Sequence, residues 1–129
     1  MNKQIMVVDD EVNILTLLDI TLKRRGFSVL KANDSYSALT ILESSTPDLF
    51  ILDLMMPGMD GLELCRQIRA RPETAQTPVI ILSARYDPRS IDRARAAGAN
   101  AYLSKMSLHS DLVTQVRSML TAEQRYPSA

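Results

Sequence analysis

Short apolar runs alternate five times with segments of helical periodicity, and this alternation constrains the fold more than any other feature of the chain. The runs cover residues 5–8, 27–30, 49–52, 78–82 and 101–103. The first, third and fourth runs are typical of strands that are buried on both faces of a parallel sheet, and the second and fifth predict short strands. Because right-handed crossovers then carry helices over both faces, the sequence predicts an α/β doubly wound fold of five strand–helix units.

Polar and glycine residues between the runs indicate where the helices begin and end. An acid at Asp10 or Glu11 is expected at the start of the first helix, and Gly26 is expected to end it. Asn33 or Asp34 should cap the second helix. The third helix is expected to follow Gly61, the fourth to cover residues 90–97, and the fifth to begin near residue 108. Residues 1–122 are expected to form one domain, followed by a short polar tail over residues 123–129.

Bulk composition limits the classes of partner. Fifteen basic and fifteen acidic residues cancel, so bulk charge favours neither a nucleic acid nor a membrane surface as partner. The single cysteine, Cys65, excludes an internal disulfide and fits a reducing compartment. Since no apolar run is long enough for a signal sequence or a membrane span, a cytoplasmic location is expected.

Five chemically active side chains stand at the carboxyl ends of four predicted strands. Asp9 and Asp10 follow the first strand, and Asp53 follows the third. Ser83 follows the fourth strand and Lys105 the fifth. Because ligands of open α/β sheets bind outside the carboxyl ends of the strands, we expect all five side chains to meet at one edge of the sheet.

Three carboxylates at one edge require either a proton or a cation. Two unit charges ~4 Å apart repel by about 4 kcal/mol at an effective dielectric constant of ~20. Oxygen ligands with room for water suit Mg²⁺ best, and Ca²⁺ or Mn²⁺ less well. Lys105 adds a positive charge and Ser83 a hydroxyl group. The set predicts a site that accepts a phosphoryl group, with Asp53 as the nucleophile.

Several motifs in this order resemble those of the response-regulator receiver domains of two-component signalling systems. They are the pair Asp9-Asp10, residues 52–61 (LDLMMPGMDG), Ser83-Ala84, Tyr102 and Lys105. The resemblance covers residues 3–121. It implies a flavodoxin-like sheet in the strand order 2-1-3-4-5, and phosphorylation of Asp53 by a histidine kinase or phosphotransfer protein.

The resemblance also implies a role for each site residue. Asp10, Asp53 and the backbone carbonyl of Met55 would hold Mg²⁺, with Asp9 acting mainly through water. The phosphoryl oxygens would contact Ser83 and Lys105. Tyr102 would turn inward when Ser83 moves, and so change the face of the fourth helix, fifth strand and fifth helix. That face would bind a downstream protein or form a homodimer.

Two positions depart from the family pattern. Receivers usually carry a proline after the lysine, joined by a cis peptide, whereas this chain has Met106. The Lys105–Met106 peptide is therefore either cis, at a cost of about 3–4 kcal/mol, or trans with Lys105 aimed differently. Receivers of winged-helix transcription factors tend to have acids just before the switch aromatic, where this chain has Asn100 and Ala101.

Three other functions remain open on the sequence alone. The first is a receiver-like module that binds partners without phosphorylation. The second is an aspartyl-phosphate phosphatase, which usually has a second acid two residues after the nucleophile, where Met55 stands here. The third is a flavin protein, which needs a phosphate-binding loop where this chain has Asp9 and Asp10. The motifs favour a signalling switch that takes up one phosphoryl group and is not a turnover enzyme.

Overall fold

Five parallel strands form a single sheet. The computed structural model describes the backbone of residues 2–125, and the side chains of this segment except those of residues 107–110 and 122–125. The strands are β1 (Gln4–Val8), β2 (Ser28–Ala32), β3 (Leu49–Asp53), β4 (Val79–Ser83) and β5 (Ala101–Ser104). Their order is β2-β1-β3-β4-β5, and every neighbouring pair is parallel. The predicted α/β doubly wound fold and strand order are confirmed.

Five helices connect and follow the strands. They are α1 (Val12–Arg24), α2 (Ser35–Ile41), α3 (Gly61–Ala70), α4 (Pro88–Ala96) and α5 (Leu108–Arg125), with a 3₁₀ turn at Lys105–Ser107. The fourth helix begins two residues before the predicted start because Asp87 caps it and Pro88 takes its first position. The fifth helix continues through residues 123–125, which the sequence assigned to a polar tail, and residues 126–129 lie outside the described segment.

The helix caps differ between α1 and its successors. The carboxylates of Asp34, Asp60 and Asp87 each accept a backbone N–H from the first turn of α2, α3 and α4. At α1 the N-cap position belongs to Glu11, but its side chain makes no capping hydrogen bond. The acid expected to cap α1 is therefore free to contact another part of the protein.

The sheet is buried between two layers of helices. Alternate residues of β1 divide between them, because successive side chains of a strand point to opposite faces. Met6 and Val8 pack on the side of α2, α3 and α4, whereas Ile5 and Val7 pack on the side of α1 and α5. Every residue of β3 and β4 is buried. This rigid centre holds the carboxyl ends of β1, β3 and β4 side by side.

The two helices that follow β3 and β4 are attached very differently. Helix α3 buries Leu62, Leu64, Cys65 and Ile68 against the sheet. Helix α4 buries only Ser90 and Ala94 within its length. Burial of a large aliphatic side chain contributes about 1.5–3 kcal/mol, and burial of small side chains much less. Helix α4 is therefore held by far less apolar contact than α3.

One guanidinium joins two loops near the amino-terminal end of β4. Arg69 donates hydrogen bonds to the carbonyl oxygens of Thr74, Thr77 and Gly98 at 2.7–3.1 Å, and to Oδ1 of Asn100 at 2.8 Å. The same Asn100 oxygen accepts the N–H of Val79 at 2.8 Å. Burial lowers the pKa of Arg69. Asn100 therefore has a structural task at a position where winged-helix receivers tend to have an acid.

No helix in residues 2–125 combines the length and apolar character needed to cross a membrane.

Candidate functional site

Three carboxylates meet at the carboxyl edge of the sheet, where the sequence predicted them. Asp9 follows β1 and is 1% exposed, and Asp53 is the last residue of β3 and is 4% exposed. Asp10 is exposed beside them. Each of the three offers a carboxylate oxygen, and these oxygens lie within 4.8 Å of one another. The arrangement concentrates negative charge at the end of a buried strand.

The ammonium of Lys105 reaches into this cluster from the turn after β5. Its Nζ lies 3.0 Å from Oδ2 of Asp9, 3.4 Å from Oδ1 of Asp53 and 2.7 Å from Oε1 of Glu11. None of the peptide bonds in the described segment is cis, so the Lys105–Met106 bond is trans. Of the two alternatives raised by Met106, the trans peptide is the one found, and Lys105 still contacts Asp53.

Burial dominates the proton affinities of the cluster. Removal from water, together with the charge of Asp9, raises the pKa of Asp53 to about 7, against the opposing effects of Lys105 and the Met55 N–H. Burial also raises the pKa of Asp9. For Lys105 burial acts to lower the pKa, but close contacts with the Glu11 and Asp9 carboxylates and the charge of Asp53 outweigh it and raise the pKa. Without a metal ion, ionisation of Asp9 and Asp53 is therefore less favourable than in water.

Asp9 has one carboxylate oxygen available for a cation. Its Oδ1 accepts the N–H of Glu11 at 2.9 Å. Its Oδ2 is buried and makes no aligned hydrogen bond, because the nearby Lys105 ammonium contacts it only as an ion pair. A buried carboxylate oxygen without a hydrogen bond, beside two further carboxylates, suits a hard divalent cation. The donor set therefore fits Mg²⁺. Met55, the fourth predicted ligand, donates its N–H towards Oδ1 of Asp53 at 3.4 Å.

The backbone N–H and C=O of Arg85 connect the two residues predicted to form the switch. The Ser83 hydroxyl oxygen is buried and accepts the N–H of Arg85 at 3.0 Å. The Tyr102 hydroxyl donates to the carbonyl oxygen of Arg85 at 2.6 Å. The ring of Tyr86 packs edge-on against Tyr102, with 5.9 Å between the ring centres. Ser83 and Tyr102 are therefore linked through one loop residue.

A cavity of about 450 Å³ lies between the loop after β3 and α4. Its lining includes Leu54 and Met55, which directly follow Asp53, and the cationic side chains of Arg85 and Arg93. Met55 is 54% exposed at this opening. The cavity next to the end of β3 is thus partly apolar and carries cationic side chains.

Glu11 is the one site residue that the sequence reasoning did not identify. It was assigned only to the start of α1, because an acid directly before a helix usually serves as a cap. Its position directly after the acidic pair, at the same sheet edge as Lys105, was the available signal. The structure shows its carboxylate accepting a hydrogen bond from Lys105.

A family comparison identifies this constellation. A sequence model described as the response regulator receiver domain matches residues 5–117. The chain belongs to the response-regulator receiver family. A solved signal receiver domain of a signal transduction histidine kinase from Syntrophus aciditrophicus superimposes on this receiver with a TM-score of 0.87. The two are 30% identical, and the match covers 98% of this receiver and 96% of that chain.

Curated relatives of the receiver are named as transcriptional regulators. The alkaline phosphatase synthesis transcriptional regulatory protein PhoP of Bacillus subtilis is 37% identical over 120 residues, which are 93% of this chain and 49% of that protein. The phosphate regulon transcriptional regulatory protein PhoB of Rhizobium meliloti is 40% identical over 117 residues, which are 91% and 52%. The receiver therefore spans about half the length of these relatives.

Proposed function

We propose that this receiver accepts a phosphoryl group on Asp53, in the presence of Mg²⁺, from a histidine kinase or phosphotransfer protein. It acts as a switch in a two-component phosphorelay in the cytoplasm, and it is a phosphoacceptor rather than a turnover enzyme. The observation that carries the proposal is the buried Asp53 carboxylate, held beside Asp9, Asp10 and the ammonium of Lys105. A carboxylate that only capped a helix would need neither the burial nor the paired cation.

The transfer forms a bond between a carboxylate oxygen of Asp53 and phosphorus. The bond from phosphorus to the donor breaks at the same centre, and the donor nitrogen or oxygen leaves with the electron pair. Asp53 must be ionised to attack, and its pKa of about 7 leaves a large fraction ionised near neutral pH. Lys105 offsets charge on the transferring oxygens. The Ser83 hydroxyl donates to one of them once it is released from the Arg85 N–H.

The proposed Mg²⁺ ligands are Asp9, Asp10, Asp53 and the backbone carbonyl of Met55. When bound, the ion supplies positive charge that offsets the carboxylates and the phosphoryl oxygens. The buried Oδ2 of Asp9 supports this assignment from the protein side, because its only close partner is the ion pair with Lys105 and it makes no aligned hydrogen bond.

The proposed output is the face formed by α4, β5 and α5. A phosphorylated Asp53 carries a charge of about −2 in place of the −1 of the free carboxylate, and Ser83 and Lys105 can bind the phosphoryl oxygens. Movement of Ser83 towards it gives up the Arg85 N–H, and the Arg85 carbonyl is bound by Tyr102. The face then exists in two conformations, one for each position of Ser83. Phosphorylation shifts the balance between them to the extent that the site binds the phosphoryl group more tightly in one conformation than in the other. The face would bind a downstream protein or a second receiver, without direct contact of this chain to nucleic acid.

Intact-mass measurement after incubation with acetyl phosphate tests the proposal. We expect a gain of one phosphoryl group that requires Mg²⁺ and is lost in Asp53→Asn. Asp92→Asn is the matched control, because it makes the same change on an exposed part of α4 and should leave uptake unchanged. Uptake that persists in Asp53→Asn would move the nucleophile elsewhere. No uptake by the wild-type protein would favour the phosphorylation-independent binding module.

A further inference from the structure

Among its three acidic neighbours, Lys105 lies closest to Glu11. The distance from Nζ to the Glu11 carboxylate is 2.7 Å, compared with 3.0 Å to Asp9 and 3.4 Å to Asp53. Only the contact with Glu11 has hydrogen-bond geometry. The ammonium is therefore bound more firmly to the acid outside the predicted metal site than to the nucleophile.

Helix capping does not account for this placement of Glu11. Its side chain makes no hydrogen bond to the first turn of α1, although it occupies the N-cap position. Its backbone N–H is held by Oδ1 of Asp9, which fixes the start of the side chain next to the carboxylate cluster. The Glu11 side chain is 60% exposed, whereas that of Lys105 is only 13% exposed. Glu11 thus covers the ammonium from the solvent side.

We propose that Glu11 competes with the phosphoryl group for Lys105, and so acts as a positioning residue that weakens the phosphorylated state. This inference rests on the proposed function. The ammonium has three N–H donors, and an aligned one is directed to Glu11. Two donors remain, but Nζ stands 2.7 Å from Glu11 and 3.4 Å from Oδ1 of Asp53. A short hydrogen bond to a phosphoryl oxygen on Asp53 therefore requires Nζ to leave its position beside Glu11, which weakens that contact. Glu11 therefore lowers the affinity of the site for a phosphoryl group by the strength of its own contact.

A second effect of Glu11 has to be separated from competition. Its negative charge also repels an anionic phosphoryl group directly, through space. Competition requires that the carboxylate reaches Lys105, whereas direct repulsion requires only that the charge stays nearby. One substitution that removes the charge, and another that keeps the charge on a side chain too short to contact Lys105 closely, therefore distinguish the two effects.

The experiment measures the affinity for beryllofluoride, a tetrahedral mimic of the phosphoryl group, by calorimetry at saturating Mg²⁺. Glu11→Gln removes the charge, and Glu11→Asp keeps it on a side chain one methylene shorter. Competition predicts that both variants bind beryllofluoride about two- to fivefold more tightly than the wild type, as expected for loss of a partly exposed ion pair. Glu73→Gln, the same change at an exposed position of the loop after α3, should bind as the wild type does.

Each other outcome overturns the inference. If Glu11→Gln binds more tightly and Glu11→Asp does not, direct repulsion is the cause. If neither variant binds more tightly, Glu11 has no influence on the phosphorylated state. A wild-type protein that binds no beryllofluoride would overturn the proposed function together with this inference. In the first two cases the wild-type protein still binds beryllofluoride, so the proposed function stands and this inference alone is overturned.

Discussion

Replacement of Asp53 by asparagine should make the stability of the metal-free receiver less sensitive to pH. The folded protein raises the pKa of this buried carboxyl from 3.8 to about 7. The folded state therefore holds a proton on Asp53 that the unfolded chain has already released. The stability associated with that proton is fully present below 3.8 and is lost as the pH rises through about 7. Asparagine carries no such proton, so the variant should not lose this contribution.

The magnitude follows from the width of this pH window. Each pH unit within it is worth about 1.4 kcal/mol, and about two units lie between pH 5 and pH 7. The free energy of unfolding of Asp53→Asn, relative to the wild type, should therefore rise by about 3 kcal/mol between about pH 5 and about pH 8. Mg²⁺ should reduce the difference at the higher pH, because a bound cation offsets the carboxylate charge.

Urea denaturation followed by far-ultraviolet circular dichroism measures this difference in buffers with a chelator. Asp92→Asn is the matched control, because the exposed Asp92 carboxylate contacts only Arg95 across one turn of α4. Its difference from the wild type should be nearly independent of pH. A difference between Asp53→Asn and the wild type that stays constant, or shrinks, from the lower to the higher pH would refute the argument from burial.

Two further substitutions test the scaffold around the site. Arg69→Met should lower the free energy of unfolding by about 2–4 kcal/mol in urea denaturation, because three carbonyl oxygens lose a charged donor. If the loss is below the experimental error, water replaces the guanidinium without cost. Gly61→Ala should cost about 1–3 kcal/mol, because a Cβ at this position would collide with the Asp53 carbonyl oxygen. It should also reduce phosphoryl uptake in the intact-mass assay, and uptake at the wild-type level would show that the strand end adapts.

The elements that the sequence predicted best are those whose burial is complete. Residues 49–52 and 78–82 are uninterrupted apolar runs, and they became the fully buried strands β3 and β4. Asp53 directly follows the first of these runs, so it lies at the carboxyl end of a strand. In a parallel sheet the carboxyl ends of all strands lie at the same edge. The meeting of Asp9, Asp53 and Lys105 followed from the same strand order.

The features that the sequence predicted poorly have two causes, an overlooked local cap and contacts between distant residues. The start of α4 was placed too late, because Ser90 appeared to begin the helix while Asp87 and Pro88 actually do. The contact between Glu11 and Lys105 joins residues 94 positions apart, so no local pattern contains it. Whether the peptide before Met106 is cis or trans likewise depends on how the whole turn packs.

The small side chains of α4 have a consequence for how the receiver could transmit a signal. Ser90 and Ala94 form a nearly smooth contact surface, with no large side chain inserted between the residues of the sheet. A helix with such a surface can slide or tilt without opening a void beneath it, since there is no deep knob to withdraw. Helix α3, with Leu64 and Ile68 fully buried, lacks that freedom. Of these two helices, α4 therefore has much less packing to lose than α3 if phosphorylation of Asp53 shifts it.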